Sequence, residues 1–348
     1  MRIVAAILIL AGLAALAAAC TTPSPQELVL MTHDSFALSE EVLAAFETES
    51  GVSVRILTAG DAGQMLNQAI LTKENPLADV LFGVDNTFLS RALDEDLFIA
   101  YASPGLEQVP DVFELDPQHR VTPIDYGDVC LNYDKAAFAA FGLDPPRSLE
   151  ELAHPKYSGL LVVENPATSS PGLAFLLATV GRFGESGGYT WLDYWADLRG
   201  NYAFVTSGWE EAYYGSFSGG SGEGDRPIVV SYASSPPAEV YFSDPQPEEA
   251  PTGVVEDGCF RQIEFAGILR GTQAQGLAER LIDFMLSQPF QEDIPLNMFV
   301  FPVNQNSQLP EVFVRHTVIP SDPVTLSPDR IGANRDRWIE EWTAAVLG

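Results

Sequence analysis

Basic charge is what this sequence has least of. Its 348 residues hold 18 lysines and arginines against 48 aspartates and glutamates, and lysine occurs only at positions 73, 135 and 156. So acidic a chain repels a polyanion, which excludes nucleic acid as a partner. Histidine is scarce as well: His33, His119, His154 and His316 are scattered, with no His-Glu-x-x-His pair. The three cysteines include no Cys-x-x-Cys, so no zinc motif is encoded. Neither a Gly-x-Ser-x-Gly elbow nor a Gly-x-x-x-x-Gly-Lys phosphate loop occurs, and no catalytic set stands out. After residue 19 no long apolar run returns. The body of the chain therefore reads as soluble, and as a binding protein rather than an enzyme.

What is present begins at the N-terminus. Met1 and Arg2 precede an apolar run from Ile3 to Ala19, which stops at Cys20 and is followed by Thr21-Thr-Pro-Ser-Pro25. Residues 1–19 are the pattern of an export signal, and a cysteine at this place resembles a lipoprotein signal in which Cys20 carries the lipid. Residues 20–27 then form a linker, and the protein is expected outside the cytoplasm, in the periplasm or at the cell surface, held to the membrane by its lipid. A cleaved signal without lipid and a single membrane anchor are the alternative readings.

From Leu28 the chain alternates short apolar runs with amphipathic stretches. Leu28–Met31, Val52–Leu57 and Ala78–Gly83 read as strands, with helices from Ser39, over Gln64–Lys73 and over Asn86–Asp94 between and after them. That alternation predicts an α/β fold with a parallel, doubly wound sheet, in which all strand C-termini share one rim. Polar residues recur there: Asp34 and Ser35 after the first strand, Asp61 after the second, Asp85 and Asn86 after the third. Each fits a helix cap, yet the recurrence marks the rim as a candidate binding edge.

Further on, Val121–Lys135 and Cys259–Leu269 are long alternating runs. They read as two strands crossing between lobes, one lobe made of residues 28–125 and 260–348 with the terminal helix, the other of residues 126–259. Neighbouring crossing strands would bring Cys130 to Cys259, and an exported chain can pair them. In the second lobe, strand Leu160–Val163 leads to Thr168-Ser-Ser-Pro-Gly172, where Ser169 and Ser170 open a helix over Leu173–Phe183. Capping explains some of those hydroxyls, and a polar-group site would explain the rest. The stretch Ser207–Pro236 holds the densest aromatic cluster, with Trp209, Tyr213 and Tyr214, and then a strand ending in Ser231 and Tyr232. Either an aromatic helix packs on a buried strand there, or these rings and hydroxyls face a ligand. Trp338 and Trp342, one helical turn apart near the C-terminus, read as docking core.

Seven blocks lie in order along the mature chain: Asp34-Ser-Phe36, Gly83-Val-Asp-Asn86, Asp125-Tyr-Gly127 with Tyr133-Asp-Lys135, Thr168-Ser-Ser-Pro-Gly-Leu173, Gly208-Trp-Glu-Glu-Ala-Tyr213, Ser231-Tyr-Ala-Ser-Ser-Pro236 and Trp338-Ile-Glu-Glu-Trp342. Together they resemble the type II solute-binding proteins of ABC importers, and within them the thiamine-binding family. The resemblance implies a two-lobed type II periplasmic-binding-protein fold, mostly parallel sheets joined by two hinge strands, and a monomer without a cofactor. It implies capture of thiamine, or of its phosphates, for delivery to an ABC permease. A cationic thiazolium and a flat aminopyrimidine call for aromatic faces and carboxylates. The residues it points to are Asp34, Ser35, Asp61, Asp85, Asn86, Asp125, Tyr126, Ser169, Ser170, Trp209, Tyr213, Ser231 and Tyr232, with Phe299 where the family commonly has a tryptophan. The same scaffold also admits Fe(III), a polyamine or a phosphonate as cargo; a secreted enzyme acting on a small molecule is the competing class.

Overall fold

The computed structural model describes residues 26–348. The expected signal and Cys20, with most of the linker, lie outside the described residues. Strand β1 (Gln26–Thr32) buries Leu28, Leu30 and Met31; helix α1 (Glu40–Ser50) starts at Ser39, whose hydroxyl accepts from the Val42 amide. There follow β2 (Val52–Thr58), α2 (Ala62–Leu71), β3 (Val80–Asp85), α3 (Leu89–Asp94), β4 (Phe98–Ile99) and the long β5 (Thr122–Asp134). The next elements are α4 (Lys135–Phe141), α5 (Leu149–Leu152), β6 (Leu161–Glu164), α6 (Ser170–Phe183), α7 (Trp191–Gly200) and β7 (Phe204–Thr206). A π-helical turn (Glu211–Ser216), β8 (Ile228–Tyr232), α8 (Pro236–Tyr241) and the longest strand, β9 (Thr252–Leu269), come next. The chain closes with α9 (Gln275–Met285), α10 (Gln288–Asn297), β10 (Phe301–Pro302), α11 (Glu311–His316) and α12 (Pro328–Val346).

The strands join in the order β2-β1-β3-β9-β5-β8-β6-β7, with β4 added to β9 and β10 to β5. β1 runs parallel to β2 and β3, and β6 parallel to β7 and β8; among the described strands every antiparallel pair contains β5 or β9. Two parallel lobes are thus stitched together by two antiparallel crossing strands, the α/β two-lobed architecture expected from the sequence. The β5–β9 register is continuous from Asp125↔Glu264 to Val129↔Phe260, then resumes at Leu131↔Val255. Cys130 and Cys259 sit at that break and are joined by a disulfide, as expected.

The terminal helix, expected with the first lobe, also touches the second. Trp338 and Trp342 are fully buried, and Trp342 meets Trp195 of α7 edge-on at 5.4 Å, while Arg335 lies over Phe88 beside α3. α12 therefore packs against elements of both lobes. The reason is the wide apolar face made by tryptophans one turn apart, which α3 alone cannot cover.

Candidate functional site

A cavity of about 280 Å³ lies where the two lobes meet. From the β1 end it is lined by His33, Asp34, Ser35 and Phe36, from α2 by Asp61, and from α6 by Ser170. The aromatic stretch contributes Trp209, Glu210, Tyr213, Tyr214 and Tyr232, and the crossing strand β9 contributes Glu264. Phe242, Met298 and Phe299 close the far side. That size suits a small organic molecule, near the low end of the roughly 300 to 1,000 Å³ common for such sites.

Asp61 ties the lobes together. It caps α2 through Oδ1, which accepts from the Ala62 amide at 2.6 Å, and the same oxygen accepts from the Ser170 amide at 3.2 Å. Oδ2 accepts from the Trp209 amide at 3.0 Å. The Gly63 amide donates to the Thr168 carbonyl at 3.1 Å across the same seam. A Cβ on Gly63 would stand 2.8 Å from that carbonyl, so glycine is what lets the two backbones meet. Burial pushes the Asp61 carboxyl up, against the lowering effect of its hydrogen bonds.

The Trp209 ring stacks on Tyr213 at 5.0 Å and meets Tyr214 and Tyr232 edge-on. Its Nε1 donates to the Ser231 hydroxyl at 2.9 Å, and that hydroxyl also pairs with Ser235 at 2.8 Å. The Tyr213 hydroxyl donates to Glu239 at 2.8 Å and the Tyr232 hydroxyl to Gln262 at 3.1 Å. Gln262 in turn donates to Ser170 Oγ at 2.9 Å, so β9, β8 and α6 are locked around the cavity floor.

Four carboxylates, Asp34, Asp61, Glu210 and Glu264, face the cavity, and no lysine or arginine is among its described lining residues. The one basic group is His33, whose Nε2 lies 3.5 Å from Glu264 Oε1. Burial opposes the imidazolium, but Glu264, Asp61 and Asp34 outweigh it and hold the imidazole pKa above its ordinary value. The Glu210 carboxyl is raised by burial and by Asp34. Low-dielectric walls with negative groups and aromatic faces favour a flat cation.

Of the residues expected at the site, Asp34, Ser35, Asp61, Ser170, Trp209, Tyr213, Tyr232 and Phe299 line the cavity. The others serve the frame. Asp85 Oδ1 accepts from the amides of Thr87 and Phe88 and from the Thr87 hydroxyl, which makes it a turn cap. Asn86 clamps β9 through the Arg261 carbonyl and the Ile263 amide. Asp125 is wholly buried behind Glu264, and Tyr126 is sandwiched between Phe113 and Phe301. Ser169 caps α6 through the Gly172 amide. Ser231 stands behind Trp209. These residues stand outside the cavity lining because β9 pairs along β3, and because caps consume polar groups at strand ends.

Sequence reasoning missed His33, Glu210, Tyr214, Phe242 and Glu264. Tyr214, for which core packing and a ligand-facing place were both open, is half exposed and lines the cavity. A signal existed for Glu264: an acid between Ile263 and Phe265 in an otherwise apolar run. Phe242 and Met298 carry no local signal, since loops distant in sequence bring them in.

A cleft between two parallel lobes joined by crossing strands defines an extracytoplasmic solute-binding protein. Residues 75–318 match the family described as bacterial extracellular solute-binding protein, and the chain belongs to that family. It is 30% identical over 94% of its length to the thiamine-binding periplasmic protein of Escherichia coli strain K12, covering 96% of that protein. The thiamine-binding periplasmic protein of Brucella melitensis biotype 1 is also 30% identical, over 92% of each chain. Among solved structures, one titled periplasmic thiamin binding protein superposes with a TM-score of 0.81 at 27% identity, over 93% of this chain and 98% of that one. The resemblance to thiamine-binding members of the family, drawn from the seven sequence blocks, is borne out. These relatives are binding proteins, in line with the missing catalytic motifs.

Proposed function

We propose that this chain captures thiamine in the cavity between its lobes and delivers it to an ABC importer. One observation carries the reading: the cavity joins aromatic faces (Trp209, Tyr214, Tyr232, Phe299) to four carboxylates with no lysine or arginine. Thiamine is a flat aminopyrimidine linked to a permanent cation, and each half finds its complement there. The relatives named for thiamine support the same cargo. The lobes proposed for this task are residues 28–125 with 260–348, and residues 126–259, with α12 strapped across both. The cysteine that ends the apolar leader supports a lipid anchor on Cys20.

Isothermal titration calorimetry with thiamine, thiamine monophosphate and thiamine diphosphate tests the cargo. Submicromolar binding of thiamine, weakened by Trp209→Ala, is the expected result. Absence of heat with all three at millimolar concentration overturns it. Fe(III) fares worse on geometry. The Tyr213 and Tyr232 hydroxyls are committed to Glu239 and Gln262, and among the described residues no group of three His, Cys, Asp or Glu is placed to hold a metal.

A further inference from the structure

Glu264 stands between two other carboxylates. The register of β9 sets it opposite Asp85 on β3 and opposite Asp125 on β5, so three acids form a row across adjacent strands. Asp85 is spent on capping. Asp125 has both oxygens buried with no donor beside them, Glu264 being its one side-chain hydrogen-bond neighbour, and burial and that Glu264 push its carboxyl well above the usual range. Of the pair, Glu264 is the member that reaches the cavity. Burial opposes its ionisation, but His33 prevails and holds the Glu264 carboxyl below its ordinary value.

The backbone is shaped for that histidine. His33 lies over Gly83, where a Cβ would come 2.2 Å from the imidazole Cδ2 and where φ is +102°. Any other residue at 83 would be strained and would displace the ring. Phe82 packs on the other side at 5.6 Å. The groups acting on His33 are Glu264 from β9, Asp34 from its own loop, Asp61 from the start of α2 and Glu210 from across the cleft. The Tyr232 phenol of β8 is neutral, its pKa raised by burial. With no lysine or arginine lining the cavity, His33 is the only internal counter-charge among its described lining residues.

We propose that His33 is a counter-cation exchanged for the charge of the cargo. When a cationic ligand enters, the imidazolium gives its proton to solvent, and Glu264 becomes the counter-ion of the ligand. One positive charge arrives and one proton leaves, so the cavity keeps its balance. This rests on the reading that the cargo is the thiamine cation. It also makes the site selective, because a neutral molecule of similar shape gains nothing from the exchange.

The pH dependence has a definite sign. Binding favours neutral His33, so affinity rises with pH, by up to about tenfold per unit below the ligand-free pKa, and levels off above it. Calorimetry of thiamine binding in two buffers of different ionisation enthalpy counts the protons. The expected result near pH 6.5 is a net release of at least about half a proton, smaller at about pH 9. In His33→Gln the release vanishes and affinity no longer varies between these pH values; a neutral aminopyrimidine alcohol releases none from the wild type. Equal heats in both buffers near pH 6.5 overturn the exchange and leave the thiamine reading intact. Thiamine failing to bind sinks the cargo reading instead. NMR titration of the His33 imidazole in ligand-free protein then decides the rest, because a midpoint below the ordinary 6.5 overturns the proposal without any ligand.

Discussion

The indole of Trp209 is held by Ser231, whose hydroxyl accepts its Nε1 proton at 2.9 Å. Ser231, expected at the site, therefore aims a ring that lines the cavity. Ser231→Ala releases the indole from one hydrogen bond, and thiamine affinity should drop about fivefold, matching roughly 1 kcal/mol. Trp209→Ala removes the stacking surface itself and should cost at least about thirtyfold. Fluorescence titration of the first variant and calorimetry of the second measure both. Equal losses would mean that Ser231 contacts the ligand directly.

Asp61 joins the lobes through the Ser170 and Trp209 amides. Each bond to the carboxylate is worth roughly 1.5 to 3 kcal/mol when buried, so Asp61→Ala should lower affinity by at least about tenfold and favour an open cleft. Gly63→Ala should act alike, since its Cβ would collide with the Thr168 carbonyl. Small-angle scattering at saturating thiamine is the check: both variants should keep a larger radius of gyration than the liganded wild type.

Burial pushes the Asp85 carboxyl up to about 7, against the lowering effect of its Thr87 and Phe88 hydrogen bonds. The folded protein thus holds this proton more tightly than the unfolded chain, where the value is 3.8. Stability is lost as pH rises from the unfolded value through the folded one, to a ceiling on the order of 4 kcal/mol. Asp85→Asn keeps an acceptor for the cap and removes the ionisation. Melting temperatures should show a gain over wild type at pH 8 and little or none at pH 4.5.

The Cys130–Cys259 disulfide closes a loop of 129 residues at the register break between β5 and β9. Replacing both by serine should lower unfolding free energy by about 3 to 5 kcal/mol, read from urea melts. Thiamine affinity should change far less, because neither cysteine lines the cavity.

Much of the frame was legible because it depends on local pattern. Apolar runs of strand length, each followed by a capped amphipathic stretch, foretold β1 to β3 with their helices and the long alternation of β5 and β9. The pairing of Cys130 with Cys259 followed from placing those two strands side by side. Asp34 and Asp61 were found for a related reason: a strand C-terminus in a parallel lobe opens on the crevice whatever packs elsewhere. Asp85 has the same local signature but lies outside the cavity lining, since β9 runs antiparallel along β3 there. Nothing near Asp85 in sequence announces a strand about 180 residues later.

By itself the sequence determined the class of fold and the rim of polar strand ends, because propensity and periodicity are properties of short segments. Only the tertiary structure decided which carboxylates line the cavity. Asp125 is hidden, Glu264 reaches the cavity, and His33 lies beside it, through contacts between residues more than 90 positions apart. The charge a buried acid carries is set by what surrounds it within a few ångströms, and in a folded chain those neighbours come from anywhere.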